Sequence, residues 1–271
     1  MVAVHTMGEA DRRGGAPAQE IALAEDLAAA GRWEEAYAHL RVAVRALQQG
    51  SGAPADELDR LRREHAEARE QSRRDSLTAS YNRRYLDERL VAMLADPASR
   101  GAAGISVALV DVDHFKQVND GYGHQFGDRV LQRIVDELAA ALPPEAFCAR
   151  YGGEEFALVL PRHDLLDAVR VCEAARNRIA RYRWEQLAAG LRVTVSAGVT
   201  HSAGPVTDPG GLIGTADTLL YAAKDSGRNA VAFRDARTGL VRLAGPAGCR
   251  RAIPQATRLP RPGRDRSGSP P

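Results

Sequence analysis

The chain has 271 residues, and its 37 Lys and Arg nearly balance its 35 Asp and Glu, leaving a net charge of +2. That balance excludes a protein whose overall charge alone drives binding to nucleic acid or to an anionic membrane. The three cysteines, Cys148, Cys172 and Cys249, lie far apart and lack metal-ligand spacing. The longest apolar run, Ile105 to Val110, is far shorter than the ~20 residues that span a bilayer. We therefore expect a cytoplasmic protein with reduced thiols, no membrane span and no nucleic-acid partner.

The first 74 residues predict a small α-helical region. Residues 1–18 are rich in Gly, Ala and charge, and we expect them to be disordered. Residues 19–50 predict a helical hairpin broken at AAAGRWEEA, which resembles a tetratricopeptide-repeat unit; because one repeat cannot bury its own face, an ordinary helical hairpin is the alternative. Residues 55–74 predict a connecting helix that could pair with a second copy as a coiled coil. Its seam comprises Leu58, Leu61, His65, Ala68 and Ser72.

Residues 75–235 alternate between helical and strand patterns. The run ISVALVDVD is almost continuously apolar, as in a strand covered on both faces. Because a Gly-Gly hairpin makes two strands antiparallel neighbours, the predicted fold class is α/β, with a mixed sheet flanked by helices. The other predicted elements are helices at Leu77–Leu94, Asp128–Leu142, Leu165–Tyr182 and Gly211–Asp225, and the strands RVTVSAGVT and NAVAFR.

The C-terminal segment, residues 240–271, carries seven Arg against one Asp and contains six prolines. Its apolar residues show little periodicity, so we expect a disordered basic tail. Contact with nucleic acid or acidic lipid is the alternative, and solvated disorder is favoured.

The sequence DVD places Asp111 and Asp113 where the buried strand emerges. A carboxylate beside the backbone carbonyl of Val112 supplies the hard oxygen ligands that Mg²⁺ prefers. The alternative is that Asp111 caps a short helix beginning at His114, since Asp is a favoured N-cap residue.

The hairpin sequence CARYGGEEFALVLP places Glu154 and Glu155 directly after two glycines. The glycines allow a two-residue loop with positive φ and a close approach of a ligand to the backbone. Because neighbouring side chains of a strand face opposite ways, only one glutamate could join Asp111 in a site for Mg²⁺ and a triphosphate. The alternative is that both glutamates are solvated turn residues.

The segment HFKQVNDGYGHQFGDRV predicts an open loop whose three glycines keep its backbone close to a ligand. Lys116 is a point charge suited to phosphate, and the amide of Asn119 and carboxylate of Asp128 suit a guanine edge. Lys224 and Arg228, in AAKDSGRN, offer two further cations. The alternative for both is that they only favour a helix C-terminus.

Together these residues resemble the GGDEF family of diguanylate cyclases over residues 75–235. The resemblance implies a palm-like fold, as in nucleotidyl cyclases, with a central sheet flanked by helices. Five motifs follow the family's order: DSLTASYNRR at 75–84, DVDHFKQVNDGYGHQFGD at 111–128, RYGGEEF at 150–156, VTVSAGV at 193–199 and YAAKDSGRN at 221–229.

The resemblance also implies roles for individual residues. Asp111, the Val112 carbonyl and Glu154 would hold Mg²⁺, or Mn²⁺ in its place, and either Glu154 or Glu155 would accept the proton of the 3′-hydroxyl. Backbone amides near residue 115 and three cations would contact the terminal phosphates, an amide and a carboxylate would bind guanine, and a histidine would lie close to the substrate. The implied substrate-binding residues are Phe115, Lys116, Asn119, His124, Asp128, Lys224 and Arg228.

The implied reaction joins two GTP molecules into cyclic di-GMP and releases two pyrophosphates across a homodimer. The N-terminal helices would then act as a dimerisation or sensory element and could bind a protein partner. Three alternatives stay open: a GTP sensor without activity, a palm-fold cyclase that makes a cyclic mononucleotide, and a protein whose main role is interaction through those helices.

The sequence departs from the family pattern in two places. Ala79 and Ser80 stand where the family usually has Gly-Leu, and we expect a structural effect rather than loss of activity. The stretch PPEA, Pro143 to Ala146, stands where many members carry an Arg-x-x-Asp motif that binds product and inhibits the enzyme. Because neither the arginine nor the carboxylate is present, we expect no product inhibition at that site.

Overall fold

The structure is a computed structural model that describes residues 10–49, 55–204 and 208–248. Its first part is three helices: α1 (Ala10–Ala29), α2 (Trp33–Gln49) and α3 (Ala55–Ser72). They pack through one small apolar cluster, because each carries an apolar stripe that needs a neighbour. The buried members of the cluster are Ala24, Leu27, Ala36, Leu40, Leu61 and Ala68.

Two expectations for this region were wrong. Helix α1 begins at Ala10, so residues 10–18 are helical rather than disordered, and residues 1–9 lie outside the described residues. Pro17 is buried within this helix, and the composition of the segment gives no sign of that packing. Leu61 and Ala68 of the predicted coiled-coil seam lie in the cluster with α1 and α2 of the same chain, so they are not free to pair with a second copy.

The connection from α3 to the next helix is a turn, not the helix predicted from Leu77. Helix α4 (Arg83–Ala95) begins after Asn82, whose side chain accepts the N–H of Tyr85 at 2.9 Å. Before it, polar side chains bond the local backbone and compete with helix formation. Ala79 has φ 57°, a left-handed conformation that glycine adopts without strain, at the position where the family usually has glycine.

The core is a mixed six-stranded sheet, as predicted, with strand order β2-β3-β1-β4-β5-β6. All neighbouring strands are antiparallel except β4 and β5, which are parallel. The strands are β1 (Ile105–Val112), β2 (Phe147–Arg150), β3 (Glu155–Pro161), β4 (Val195–Ser202), β5 (Val231–Arg234) and β6 (Val241–Leu243).

Helices cover both faces of this sheet. Because side chains alternate along a strand, Val110 of β1 packs with one set of helices and Leu109 packs with the other. Helices α7 (His124–Ala139) and α8 (Leu165–Arg181) cover the first face, and α4 with α9 (Pro209–Asp225) cover the second. The short helices are α5 (Pro97–Arg100), α6 (Phe115–Tyr122) and α10 (Gly245–Gly248), with a 3₁₀ turn at Trp184–Gln186.

Helix α9 approaches the sheet closely at one glycine. A Cβ at Gly198 of β4 would lie 2.2 Å from the carbonyl oxygen of Ala216 and from the amide nitrogen of Leu220. Only glycine therefore lets the backbones of β4 and α9 come this close. This contact fixes the position of the last turn of α9, which carries Lys224, relative to the sheet.

The predicted C-terminal tail is ordered at its beginning. Strand β6 pairs with β5, and α10 follows it, so residues 241–248 belong to the folded unit, and residues 249–271 lie outside the described residues. The turn before β6 is fixed by Asp235, whose carboxylate accepts the N–H of Arg237 at 2.9 Å and of the Arg242 side chain at 3.1 Å. None of the helices in the described ranges combines the length and apolar character that a bilayer span requires.

Candidate functional site

Asp111 lies near the end of β1, in register with Glu155 of β3 and Ser196 of β4. It is only 5% exposed, and its Oδ2 lies 2.8 Å from Nζ of Lys224. Burial raises the pKa of Asp111, while Lys224 and the positive charge of Arg228 act in the opposite direction. The helix-cap alternative was wrong, because α6 begins after His114 and its first turn has no side-chain cap among the described residues.

Glu154 lies in the loop between β2 and β3, where its carbonyl oxygen accepts the N–H of Val112 at 3.3 Å. Its pKa is raised, first by burial and then by the negative charges of Asp111 and Glu155. A carboxylate whose pKa is raised by neighbouring carboxylates marks a negative site that a cation would stabilise. The spacing of the sequence left it open whether these strands are neighbours, and the structure makes them adjacent.

The donor set of this site is small. Asp111 and Glu154 are its carboxylates, and the described residues contain no cluster of three or more His, Cys, Asp or Glu side chains that could hold a metal alone. Mg²⁺ commonly takes one or two carboxylates and completes its shell with water and substrate phosphate oxygens. Two carboxylates beside the Val112 carbonyl therefore fit Mg²⁺ together with a phosphate ligand.

The hairpin differs from the predicted two-residue loop. Four residues, Tyr151 to Glu154, separate the strands, and neither Gly152 nor Gly153 has a positive φ. A Cβ at Gly152 would lie 2.6 Å from Oε2 of Glu155, so this glycine makes room for the glutamate side chain. The prediction of positive φ failed because the loop is stabilised by a side chain rather than by a tight-turn geometry.

That side chain belongs to Arg150, which the sequence reasoning missed. Its guanidinium donates to the carbonyls of Gly152 and Gly153 at 2.8–3.2 Å, and to both carboxylate oxygens of Asp75 at 3.0 and 3.3 Å. Asp75 also accepts two hydrogen bonds from Thr78. The available signal was an arginine at the end of an otherwise apolar strand, in the motif RYGGEEF.

The predicted open loop after β1 is instead a pair of helices. Helix α6 carries Lys116 and Asn119, and α7 follows it after Gly123, which has φ 84°. A Cβ at Gly127 would lie 2.0 Å from Oδ1 of Asn119, so the first turn of α7 packs directly on that amide. Asp128 follows Gly127, which places the two predicted guanine-binding residues at the contact between α6 and α7.

The remaining predicted residues differ in accessibility. Phe115 is only 5% exposed, so its side chain belongs to the core, and only its backbone could meet a ligand. Lys116 and His124 are exposed on α6 and at the start of α7. Arg228 follows α9 with φ 63°, close enough to lower the pKa of Asp111. Lys224 therefore does more than favour a helix C-terminus, because it neutralises a buried carboxylate.

Comparison with known proteins gives one family over strands β1 to β4 and the helices around them. A family model described as "Diguanylate cyclase, GGDEF domain" matches residues 72–230. The chain is 40% identical over 160 residues to the response regulator PleD of Caulobacter vibrioides, covering 58% of this chain and 35% of PleD. It is 36% identical over 180 residues to the diguanylate cyclase VdcA of Vibrio cholerae, covering 65% of this chain and 51% of VdcA. The chain thus spans about half or less of the length of these curated relatives.

Solved structures give the same result. The coiled coil and GGDEF domain of DgcB from Caulobacter crescentus, in complex with c-di-GMP, matches with TM-score 0.58 and 33% identity, covering 66% of this chain and 94% of that one. The diguanylate cyclase SiaD of Pseudomonas aeruginosa, in complex with its activator SiaC, matches with TM-score 0.58 and 34% identity, covering 79% of each chain. This coverage is larger than residues 72–271 alone could supply, so the SiaD match includes part of the N-terminal helices.

Replacing Asp75 should lower stability in a pH-dependent way. Burial opposes ionisation of Asp75, but hydrogen bonds from Thr78 and Arg150 outweigh it and hold its pKa below the usual range. Its stabilisation is therefore present above the unfolded-state pKa and is lost as pH falls through the folded-state pKa. We expect Asp75→Asn to lower the free energy of unfolding by about 1 kcal/mol near pH 7, and by less near pH 3.

Urea unfolding at the two pH values measures this difference. Asp87→Asn is the matched control, since its side chain is 61% exposed and its ion pair with Arg83 is long, at 4.0 Å. A loss of stability by Asp75→Asn that is equal at both pH values would show that the ionised carboxylate is not its source.

Proposed function

Because the chain belongs to the GGDEF family of diguanylate cyclases, we propose that it condenses two GTP molecules into cyclic di-GMP and two pyrophosphates. The observation that carries this proposal is that Asp111, near the end of β1, lies beside the hairpin loop that carries Glu154 and is paired with Lys224. Both carboxylates have raised pKa values, and a bound divalent cation would favour their ionised forms. A cyclase needs such a cation where a triphosphate is attacked.

Asp111, Glu154 and the Val112 carbonyl would hold Mg²⁺, or Mn²⁺ in its place. When bound, the cation would supply Lewis-acid polarisation of the α-phosphate and of the attacking hydroxyl. The ion pair between Lys224 and Asp111 keeps this buried carboxylate compensated when no cation is bound, because an unpaired buried charge is costly. Lys224 would be free to contact phosphate once another cation neutralises Asp111.

Four groups around the site would hold the terminal phosphates of GTP. Lys116 and the backbone amides near Phe115 would approach from the start of α6, and Lys224 and Arg228 would approach from the last turn of α9 and the turn that follows it. Their positive charges would offset the charge that develops on the departing pyrophosphate. Cations from two different elements would therefore meet the phosphates near the end of β1.

Guanine would bind where α6 meets α7. The amide of Asn119 and the carboxylate of Asp128 can together accept and donate along the guanine edge. Asn119 is held against Gly127, so its amide is already ordered before a nucleotide arrives. His124, exposed at the start of α7, would lie close to the same substrate.

The proton of the attacking 3′-hydroxyl would pass to Glu154 or Glu155. A raised pKa suits a carboxylate to this role, because a base is most effective when its pKa is close to the working pH. Glu155 is the alternative acceptor, since it begins β3 directly opposite Asp111.

Glu154→Gln should abolish turnover, because the amide keeps the size of the side chain but cannot provide a carboxylate oxygen to the cation. Purified full-length protein would be incubated with GTP and Mg²⁺, and the nucleotides separated by chromatography. Glu155→Gln is the matched variant. A partial loss of turnover in Glu155→Gln identifies Glu154 as the proton acceptor, and a complete loss of turnover in both variants means that the two glutamates share this role. Unchanged turnover in Glu154→Gln would remove this residue from the mechanism. If the wild type binds GTP and makes no cyclic di-GMP, the chain is a GTP sensor instead.

Added cyclic di-GMP should not inhibit the reaction at the segment that precedes β2. Pro143 to Ala146 forms a turn there, closed by the Ala146 N–H on the Pro143 carbonyl at 3.2 Å, and Glu145 pairs with Arg162. This turn offers neither an arginine nor a free carboxylate to a guanine base. Initial rates with and without excess cyclic di-GMP measure the inhibition. Raising the GTP concentration relieves competitive inhibition at the active site and so separates it from inhibition at another site. Inhibition that GTP does not relieve would contradict the expectation.

The rate per chain should rise with protein concentration, because two sites from two chains must face each other before either hydroxyl can attack. Helices α1 to α3 would control how often this happens, by themselves or through a protein partner. Leu23, Trp33 and Val42 of these helices are exposed apolar side chains that such a contact would cover. Initial rates would be compared with the fraction of dimer from sedimentation. A constant rate per chain across the monomer–dimer transition would contradict the homodimer.

A further inference from the structure

Asp113, the second carboxylate of DVD, has no role in the mechanism above, although it is as buried as Asp111 at 5% exposure. Its Oδ1 accepts the hydroxyl of Ser196 at 2.7 Å, and its Oδ2 accepts the hydroxyl of Thr194 at 2.7 Å. Oδ2 also accepts the backbone N–H of Asn229 at 2.9 Å. The first two contacts join β1 to β4, whereas the third reaches the turn that follows α9.

That turn has an unusual backbone. Arg228 and Asn229 are consecutive and neither is glycine, yet both lie in the left-handed region, with φ 63° and 48°. Such a residue costs on the order of 1–3 kcal/mol and persists only where its surroundings impose it. The conformation of this turn must therefore be maintained by specific contacts.

Two buried side chains provide those contacts to Asn229. Asp113 accepts a hydrogen bond from the backbone N–H of Asn229, and Nη1 of Arg176 donates to the side-chain Oδ1 of Asn229 at 2.6 Å. Arg176 is 7% exposed and is itself fixed by Glu173, at 2.6 and 2.8 Å. Asn229 is therefore held by two elements: Asp113, at the end of β1, binds its backbone, and Arg176, on α8, binds its side chain.

The residue next to Asn229 is Arg228, whose positive charge acts on Asp111. Its side chain begins from a backbone position that is fixed by Asn229 on one side and by the end of α9 on the other. A change in the Asn229 turn would therefore move the Arg228 guanidinium relative to the carboxylate site.

We propose that Asp113 is a positioning residue: with Arg176 it clamps Asn229, and this clamp places Arg228 for contact with the terminal phosphates of the substrate. The inference rests on the proposed function, because it names the residue that orients one of the phosphate-binding cations. The competing explanation is that Asp113 only joins β1 to β4 through Thr194 and Ser196.

A double-mutant cycle separates the two explanations. Asp113→Asn, Arg228→Gln and the double variant would be assayed for kcat and KM with GTP. We expect Asp113→Asn to lower kcat/KM roughly tenfold in the wild-type background and less than twofold in the Arg228→Gln background, because the effect passes through that guanidinium. If the losses in kcat/KM of the two single variants multiply in the double variant, the clamp is overturned.

Ser106→Ala is the matched control for loss of a buried polar contact on β1. Ser106 is fully buried at the opposite end of the strand, where its hydroxyl donates to the His163 carbonyl at 3.0 Å. We expect its effect on kcat/KM to be the same in both backgrounds. If Asp113→Asn does not fold, Asn229→Ala replaces it, since this variant loses the contact with Arg176 and leaves the contacts between β1 and β4 in place.

Amide hydrogen exchange gives a readout that does not depend on turnover. In Asp113→Asn, or in Asn229→Ala if that is the variant used, the amide of residue 229 should exchange at least tenfold faster, while the amides of β4 keep their protection. Failure of the wild type to make cyclic di-GMP would reject the proposed function only. The clamp would then be decided by exchange, and unchanged protection at residue 229 would overturn it.

Discussion

The ion pair between Asp111 and Lys224 is the interaction on which the rest of the site depends. A carboxylate at the end of a fully buried strand needs a compensating charge, because burial disfavours its ionised form. The compensating lysine comes from the last turn of α9, more than a hundred residues later in the chain. The pair therefore ties the end of the central strand to the helix that packs across the second face of the sheet.

The sheet brings the other groups to the same position. Strand β1 lies between β3 and β4, so its end meets the hairpin loop on one side and the entry into β4 on the other. The hairpin contributes Glu154 because Arg150 holds the loop by its carbonyls and is in turn fixed by Asp75. The guanidinium of Arg150 thus joins the first family motif to the third.

The three N-terminal helices form a separate apolar cluster and contact the domain through its first helix. Arg84 of α4 pairs with Glu34 of α2 at 2.9 Å, on a surface where both side chains are about half exposed. A pair of this exposure contributes little stability and can exchange partners at low cost. The helices can therefore shift relative to α4 at little cost at this contact, whereas α4 itself packs directly on the sheet.

Sequence alone determined the fold class, the mixed sheet and the family, because buried strands, amphipathic helices and five ordered motifs are local patterns. It also singled out Asp111, Glu154 and Lys224, since their residue types carry the chemistry. Tertiary structure alone decided that Asp113 accepts hydrogen bonds from Thr194, Ser196 and Asn229, and that Arg150 supports the hairpin. It also placed Leu61 and Ala68 against their own chain. The physical reason is the same in each case: these outcomes depend on which partner lies across a strand or helix, and partners distant in sequence leave no local pattern.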